Sequence, residues 1–298
     1  MRMRNLIEFG INVTFPASIL ILGLIGNSFG FKIFLNKKIS QIGPINVYRF
    51  LFLNDILIVI QIIVSYLEMV FYFNITNTSS LVCKLFFFLN YSLSALSSMF
   101  LVYISIERIF LLMHSTKYRK LFKNKKYQNM FIIFAYAYNF IYYIPTIVGL
   151  DISELDFNET FSCTYITYNY QLIISYMDLF NRCILPFGLM ISISIVFITL
   201  IFKSRRRVIQ NGSLTENKKF YKDVKLSVSS ILFNIYFLIS NLPISIVLFI
   251  PDYYNFTFLY SLTFWLFYSG YAFNFYIFFF TNSVFRKQVY SHFKKNST

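Results

Sequence analysis

Long apolar stretches and short polar stretches alternate along this chain. Seven predominantly apolar runs lie near 11–35, 46–73, 81–113, 128–150, 171–202, 226–250 and 257–281. A helix needs about 20 residues to cross a hydrocarbon core of roughly 30 Å, and each run is long enough. The pattern predicts an all-α membrane protein, in which a bundle of seven transmembrane helices forms a single domain over residues 1–298.

Two polar segments border the last runs. The segment 203–225 is basic, carries the turn signal Asn211-Gly212-Ser213 and is predicted as the longest loop. The segment 283–293 is amphipathic, with Arg286 and Lys287 opposite an apolar face. That face consists of Val284, Phe285, Val289 and Phe293. Such a helix lies flat in the membrane interface, so we predict a short eighth helix there.

The distribution of basic residues predicts the orientation of the bundle. All but four of the 27 Lys and Arg lie in or beside every second gap between runs, or in the tail. The exceptions are Arg2, Arg4, Lys84 and Arg182. Cytoplasmic loops carry an excess of Lys and Arg, so the N-terminus is predicted to be extracellular. The net charge of +15 therefore indicates attraction of the basic loops to an anionic inner leaflet, and it does not indicate a nucleic-acid partner.

The gaps with few basic residues carry features of an extracellular surface. Four glycosylation sequons fall there, at Asn74, Asn77, Asn158 and Asn255. Cys83 and Cys163 also lie on this oxidising side, where a disulfide persists. We predict that these two cysteines form the single disulfide and hold the loop before the fifth run across the outer mouth. Cys183 lies within a run and is predicted to be a small buried apolar residue.

Motifs in the first three runs resemble one receptor family. Arg108 follows Cys83 by 25 residues, within the stretch Ile106-Glu107-Arg108-Ile109-Phe110. This stretch and its spacing resemble the acidic-Arg-aromatic motif of rhodopsin-like (family A) G-protein-coupled receptors. Gly26-Asn27 is similar to their first-helix Gly-Asn, and Leu53-Asn54-Asp55 to their second-helix motif.

The later runs continue this resemblance in order, with departures. Prolines stand where the family has them in its fourth, fifth and sixth helices, at Pro145, Pro186 and Pro243. The segment from Asn274 to Lys287 resembles the seventh-helix motif and the eighth helix. Four activation positions differ from the family pattern. Phe275 replaces the seventh-helix proline, and Phe278 replaces its tyrosine. Asn241 stands where the sixth helix usually has a tryptophan, and Ser194 where the fifth often has a tyrosine. Divergent chemosensory receptors of invertebrates depart in similar ways.

The resemblance implies a receptor in the plasma membrane that binds an extracellular peptide or small chemosensory molecule. The predicted ligand-binding residues are Asn90, Tyr91, Asp178, Arg182, Ile244 and Tyr268. Asp178 and Arg182 are four residues apart, so their alternative role is to neutralise one another on one helix face. Asn90 stands where amine receptors carry aspartate, which argues against a small biogenic amine.

Two further sites follow from the resemblance. A heterotrimeric G protein is expected to contact Glu107, Arg108, Lys203, Arg205 and Arg206. The alternative for Arg108 is a helix-end side chain that reaches lipid head groups. Asp55, Ser97 and Asn274 match the family's sodium pocket, and oxygen ligands suit such a hard cation. The alternative for Asp55 is a hydrogen-bonded or protonated carboxyl that bridges helices.

Other functional classes have less support. The chain has two histidines, no metal-ligand spacing and no nucleophile or phosphate-loop motif, so we predict neither an enzyme nor a cofactor beyond sodium. An ion channel or transporter of the seven-helix type is the alternative. Such a protein needs polar or charged residues along its helices at midplane depth, and Asp55 alone meets this condition.

Overall fold

The computed structural model describes residues 10–35, 44–71, 73–112, 122, 124–155, 160–211, 214–247 and 257–296. We number the helices α1 to α8. The first four are α1 (Phe15–Leu35, after a π turn at Gly10–Thr14), α2 (Ile45–Phe71), α3 (Ser80–Leu112) and α4 (Lys125–Tyr142, continued by Ile144–Gly149). The others are α5 (Tyr168–Asp178, a π turn at Leu179–Ile184, then Leu185–Asn211), α6 (Leu214–Val247), α7 (Thr257–Ala272 and Asn274–Thr281) and α8 (Ser283–Asn296).

Helices α1 to α5 each contain a span long and apolar enough to cross a membrane, and they are the five found among the described residues. In α6 the apolar part is the shorter stretch Ile231–Val247, which contains Pro243. The two parts of α7 are joined at Phe273, whose N–H donates to Ser269 O and whose carbonyl accepts from Ile277 N, each at 3.0 Å. These helices agree with the predicted all-α bundle.

Helix α3 is the central element of the bundle, because it packs against α2, α4, α5 and α6. Helix α1 packs on α2 and α7. This contact is close at Gly26, where an added Cβ would lie 2.8 Å from the Tyr276 ring and 3.2 Å from Phe275 Cβ. A larger residue at position 26 would therefore push α1 and α7 apart.

One element was not predicted. The connection between α4 and α5 forms an antiparallel hairpin of β1 (Leu150–Leu155) and β2 (Thr160–Tyr165), with Ile152 opposite Cys163. The predicted disulfide joins Cys83 at the start of α3 to Cys163 in this hairpin. The backbone N–H of Cys163 also donates to Asn77 Oδ1 at 2.9 Å. The hairpin is thus attached to the outer ends of α2 and α3.

The segment 203–225 was predicted as a loop, and that prediction was wrong. Helix α5 continues to Asn211, and α6 begins at Leu214. Outside the membrane a helix needs no apolar residues, and the Lys, Arg, Glu and Leu of this segment have high helix propensity. Hydropathy marks the membrane boundary of these helices and not their ends.

The eighth helix packs partly on protein. Phe285 is fully buried, with its ring centroid 4.7 Å from Phe278 and 5.4 Å from Phe34, and Val289 is 4% exposed. These two residues of the predicted apolar face are therefore buried against the bundle. Lys287 is exposed on the other side.

Candidate ligand cavity and inner arginine site

A cavity of about 420 Å³ opens among the outer halves of α2, α3, α5, α6 and α7. This volume is typical of a small-molecule site. It is lined mainly by aromatic and apolar side chains, with a few polar groups: Ser65, Glu68, Met69, Phe86, Phe87, Asn90, Tyr91, Arg182, Ile244, Tyr260, Phe264, Phe267 and Tyr268. All the predicted ligand-binding residues except Asp178 line this cavity.

Asp178 instead forms an ion pair with Arg182. The Arg182 Nη2 atom lies 2.5 Å from Asp178 Oδ2, and both side chains are almost fully buried. The hydroxyl of Tyr143 donates to Asp178 Oδ1 at 3.2 Å, and the guanidinium lies 4.4 Å from the centre of the Phe267 ring. Asp178 and Arg182 therefore neutralise one another, which is the alternative role that their spacing suggested.

A polar network between α4 and α5 supports the π turn that carries Arg182. Asn181 Nδ2 donates to Asn139 Oδ1 at 3.0 Å, and the Tyr138 hydroxyl donates to Asn181 Oδ1 at 3.1 Å. Asn139 and Asn181 are completely buried, so each amide needs these partners. The network fixes the rotation of α5 and thereby the direction of Arg182.

Asn90 and Tyr91 link α3 to other elements around the cavity. Asn90 Nδ2 donates to the Tyr268 hydroxyl of α7 at 2.8 Å. The hydroxyls of Tyr91 and Tyr165 lie 3.0 Å apart, so the hairpin is tied to α3. Tyr91 also stacks on Tyr143, with ring centroids 5.8 Å apart. These cavity residues both face a ligand space and hold its walls in place.

The sequence did not single out the aromatic lining of the cavity. Four of the 39 phenylalanines line the cavity: Phe86, Phe87, Phe264 and Phe267. A phenylalanine in an apolar run is equally typical of a lipid-facing and of a cavity-lining position, so the sequence does not distinguish the two. Glu68 can be recognised in the sequence as a candidate for ligand binding, because it is an acid in the outer half of an apolar run. Its Oε1 accepts hydrogen bonds from Thr76 N and Thr76 Oγ1, both at 2.7 Å.

Outside the membrane, Asp151 attaches β1 to the start of α3. Its Oδ1 accepts from Ser80 Oγ at 2.6 Å and its Oδ2 lies 3.7 Å from Lys84 Nζ. The Ser80 hydrogen bond, with smaller contributions from Ile152 N–H and Lys84, holds the pKa of Asp151 below its ordinary value. Of the sequon residues, Asn74 is exposed and Asn77 half-buried. Asn158 and Asn255 lie outside the described residues.

The three predicted sodium ligands meet in the middle of the bundle. Ser97 Oγ donates to Asp55 Oδ1 at 2.8 Å, and Asn274 Nδ2 donates to Asp55 Oδ2 at 2.7 Å. All three side chains are buried. Their carboxylate, hydroxyl and amide oxygens fit a hard cation. The same hydrogen bonds also allow Asp55 to bridge α2, α3 and α7 by itself.

Nearby, the residues that depart from the family pattern make contacts of their own. Asn241 Oδ1 accepts from the Tyr271 hydroxyl at 3.2 Å, which joins α6 to α7. Asn234 of α6 accepts from Ser105 Oγ at 3.1 Å and donates from its Nδ2 to Ser194 Oγ at 3.4 Å. Hydrogen bonds therefore still connect α3, α5, α6 and α7 at these levels.

At the inner end of α3, Arg108 is buried inside the protein. Its Nη2 donates to the Tyr48 hydroxyl of α2 at 2.7 Å, and its Nε lies 3.4 Å from Glu107 Oε2. Arg108 and Glu107 are each 2% exposed, so Arg108 does not extend toward lipid head groups. Tyr48 stacks on Phe34 at 4.9 Å and lies 5.1 Å from Phe278. The side chains of Lys203, Arg205 and Arg206 lie outside the described residues.

Comparison with known proteins identifies the family. The model of the family described as "7 transmembrane receptor (rhodopsin family)" matches residues 30–281. No individual curated protein matches the chain. The matched region extends from α1 to the end of α7, and it contains the cavity, the Asp55 cluster and Arg108. The chain is a multi-pass membrane protein that belongs to the rhodopsin family of seven-transmembrane receptors.

Proposed function

We propose that this receptor binds a small extracellular molecule or a peptide terminus in the cavity and activates a heterotrimeric G protein at the plasma membrane. One observation carries the proposal: α3 bears both the outer cavity residues Asn90 and Tyr91 and the inner pair Glu107 and Arg108. Because α3 packs on four neighbouring helices, a shift at its outer end alters contacts at its inner end. A single helix thus joins the ligand space to the cytoplasmic surface.

In the proposed resting state, Arg108 is held inside the bundle by Tyr48 and Glu107. Coupling requires Arg108 to leave these partners and meet a helix of the G protein. The aromatic side chains around Tyr48 favour the closed arrangement, because Phe278 and Phe34 pack on its ring. Ligand binding then acts by stabilising an open arrangement relative to this closed one.

The cytoplasmic partner is proposed to contact the inner extension of α5. Lys203, Arg205 and Arg206 belong to this helix, which continues to Asn211. Positive charge on an inner surface favours both anionic lipid and an acidic partner surface. We include these three residues with Glu107 and Arg108 in the coupling site.

The experiment that tests the proposal measures nucleotide exchange by purified receptor in lipid nanodiscs with a panel of G proteins. Peptide and odorant libraries supply the ligand. Arg108→Ala is expected to reduce ligand-stimulated exchange to the basal rate, because it removes the guanidinium that is proposed to meet the G protein. Lys84→Gln, at the outer surface, serves as the matched control and is expected to respond fully. A full response of Arg108→Ala would instead indicate a ligand-gated channel or a binding protein without signalling.

We also propose that sodium binds to oxygens of Asp55, Ser97 and Asn274 and stabilises the closed bundle by neutralising the buried carboxylate. Replacing sodium with a large organic cation is then expected to lower the unfolding temperature of the parent receptor. Asp55→Asn is expected to remove this dependence. If the parent and Asp55→Asn respond equally to the exchange of cations, Asp55 bridges the helices by hydrogen bonds alone.

A further inference from the structure

Glu68 gives the cavity a negative charge that no described residue balances. The two charged side chains that line the cavity are Glu68 and Arg182. Arg182 is already paired with Asp178 at 2.5 Å, and both of these side chains are almost fully buried. The ion pairs among the described residues do not include Glu68. The cavity therefore carries the net charge of one carboxylate.

This carboxylate is held in place through one of its two oxygens. Glu68 Oε1 accepts from the N–H and from the hydroxyl of Thr76, both at 2.7 Å. Thr76 belongs to the turn Ile75–Asn77 between α2 and α3, and Asn77 in turn accepts from Cys163 N of the hairpin. Glu68 is thus fixed by the outer structure of the receptor before any ligand binds, which lowers the entropic cost of binding.

The local structure needs an acceptor at position 68 but does not need a charge. A glutamine would present the same Oε1 to the N–H and hydroxyl of Thr76. A carboxylate in the wall of a largely aromatic cavity is costly once a ligand displaces water from it, unless that ligand supplies the opposite charge. The charge of Glu68 is therefore better explained by a cationic ligand than by the turn that it supports.

Glu68 and Asn90 each retain an oxygen that a ligand can reach. Within the part of the chain that the structure describes, Glu68 Oε2 and Asn90 Oδ1 make no hydrogen bond, and neither is among the unpartnered polar atoms that are shielded from contact. The Nδ2 of Asn90 already donates to the Tyr268 hydroxyl at 2.8 Å. Both residues line the cavity, so both offer an acceptor to a ligand that carries N–H donors.

The aromatic walls of the cavity also favour a cation on an aromatic frame. Phe86 and Phe87 of α3 and Phe264 of α7 contribute rings to the lining, and Phe264 meets Tyr268 edge to face with ring centroids 4.9 Å apart. The face of an aromatic ring attracts an ammonium group, and the same rings gain from contact with an aromatic ligand. A lining of this kind stabilises both parts of an aromatic amine.

We infer that the cavity binds an aromatic ligand with a single positive charge, whose ammonium group pairs with Glu68. The negative charge of the site is supplied by α2, since Asn90 of α3 is neutral where amine receptors carry an aspartate. The ligand class comprises aromatic amines and the N-terminal amines of short aromatic peptides, and it excludes carboxylic acids. This inference rests on the proposed function only in that the cavity is the ligand site of the receptor.

Matched sets of aromatic probes test the inference on full-length receptor in nanodiscs. One set consists of biphenylmethylamine, biphenylmethanol and biphenylcarboxylate, and a second set has the corresponding naphthalene compounds. Binding is measured by the rise in unfolding temperature over a range of probe concentrations at one pH and ionic strength, so no G protein is involved. Partition of each probe into empty nanodiscs is measured separately and subtracted.

The amine of each set is expected to bind at least about tenfold more tightly than the alcohol, because a hydrogen bond between charged groups contributes about that factor. The carboxylate is expected to bind most weakly, because it repels Glu68. Equal binding of the three compounds would show that the charge of the cavity does not select its ligand.

Two variants assign this preference to Glu68. Glu68→Gln keeps an acceptor for Thr76, so its unfolding temperature without probe should stay close to that of the parent, whereas its affinity for the amine should fall about tenfold. Asp151→Asn is the matched control, because it removes one acid from the outer surface at a residue that does not line the cavity. It should keep the full preference for the amine.

The inference is overturned if the parent prefers the amine in neither set, which includes the case in which it binds no probe, whether or not Glu68→Gln folds. It is also overturned if Glu68→Gln keeps the preference, or if Asp151→Asn loses it, since the amine would then respond to the acidic outer surface in general. These results leave the proposed coupling intact, because that proposal depends on the nucleotide exchange lost in Arg108→Ala. Conversely, a receptor that selects the amine but never stimulates exchange would contradict the coupling and leave the ligand class in place.

Discussion

Tyr48 provides the hydroxyl that holds Arg108 within the bundle. At the equivalent level of α7, the family's tyrosine is replaced by Phe278, which has no hydroxyl but packs 5.1 Å from the Tyr48 ring. Tyr48 of α2 thus makes the polar contact with Arg108, and Phe278 of α7 packs against Tyr48. Removal of the Tyr48 hydroxyl should weaken the polar contact and leave the packing intact.

Tyr48→Phe is therefore expected to raise the basal rate of nucleotide exchange. A hydrogen bond to a charged group contributes about 1.5–3 kcal/mol, and the remaining contact with Glu107 compensates in part, so we expect an increase of about threefold to tenfold. Exchange is measured without ligand at equal receptor density. Tyr290→Phe, an exposed tyrosine of α8, is the control. A basal rate equal to that of the parent would show that the hydroxyl does not restrain Arg108.

Residue contacts could be predicted from the sequence where spacing or resemblance defined them. The i,i+4 spacing of Asp178 and Arg182 offered neutralisation as one of two roles. The Asp55 cluster came from the resemblance, because its members are far apart in the chain. The contact of Tyr48 with Arg108 could not be predicted, since the two residues are separated by 60 positions and no motif includes the tyrosine.

At the scale of elements, hydropathy predicted the membrane-spanning parts well and the remaining parts poorly. The helical extensions of α5 and α6 are polar, so a hydrophobic pattern does not reveal them. The β1–β2 hairpin consists of strands of 6 residues each, which are too short to stand out beside long apolar runs. Its position depends on the disulfide, on Asn77 and on Tyr91, all of which are contacts between distant parts of the chain.

Loss of the disulfide is expected to destabilise the outer side of the receptor. Cys83→Ser and Cys163→Ser should each lower the unfolding temperature, and the double variant should be no worse than either single variant. Removal of a structural disulfide costs about 2–5 kcal/mol in small secreted domains, and the hairpin here would lose its covalent link to α3. Cys183→Ala is the control, because Cys183 is buried and free. Labelling of both Cys83 and Cys163 by a thiol reagent in native receptor would contradict this prediction.

The whole molecule has an outer side with acids and glycosylation sequons and an inner side with most of the basic residues. This asymmetry was readable from the sequence, since it depends on which gaps contain Lys and Arg. The lining of the ligand cavity was harder to predict from the sequence, because side chains from five helices form its walls and four of them are phenylalanines.

Glycosylation tests the orientation of the whole chain. Asn74 is exposed at the outer connection of α2 and α3, so Asn74→Gln is expected to remove one glycan from receptor made in eukaryotic cells. Asn77→Gln should remove less, because Asn77 is half-buried and its Oδ1 accepts from Cys163 N. The change is read as a mobility shift that disappears after glycosidase treatment. Asn211→Gln, at an inner sequon, should cause no shift, and a shift there would reverse the predicted orientation.

Because α6 is long, a small rotation near its outer end would move its inner end by a large distance. From Leu214 to Pro243 the helix spans about 43 Å at 1.5 Å per residue, and the proline lies near its outer end. Proline removes one hydrogen bond of the helix, so it is a natural pivot. Rotation by about 10° around this pivot would carry the inner end of α6 through about 7 Å, by the same geometry. A displacement of less than a bond length beside Ile244 in the cavity would thereby be amplified to several ångströms at the inner end of α6.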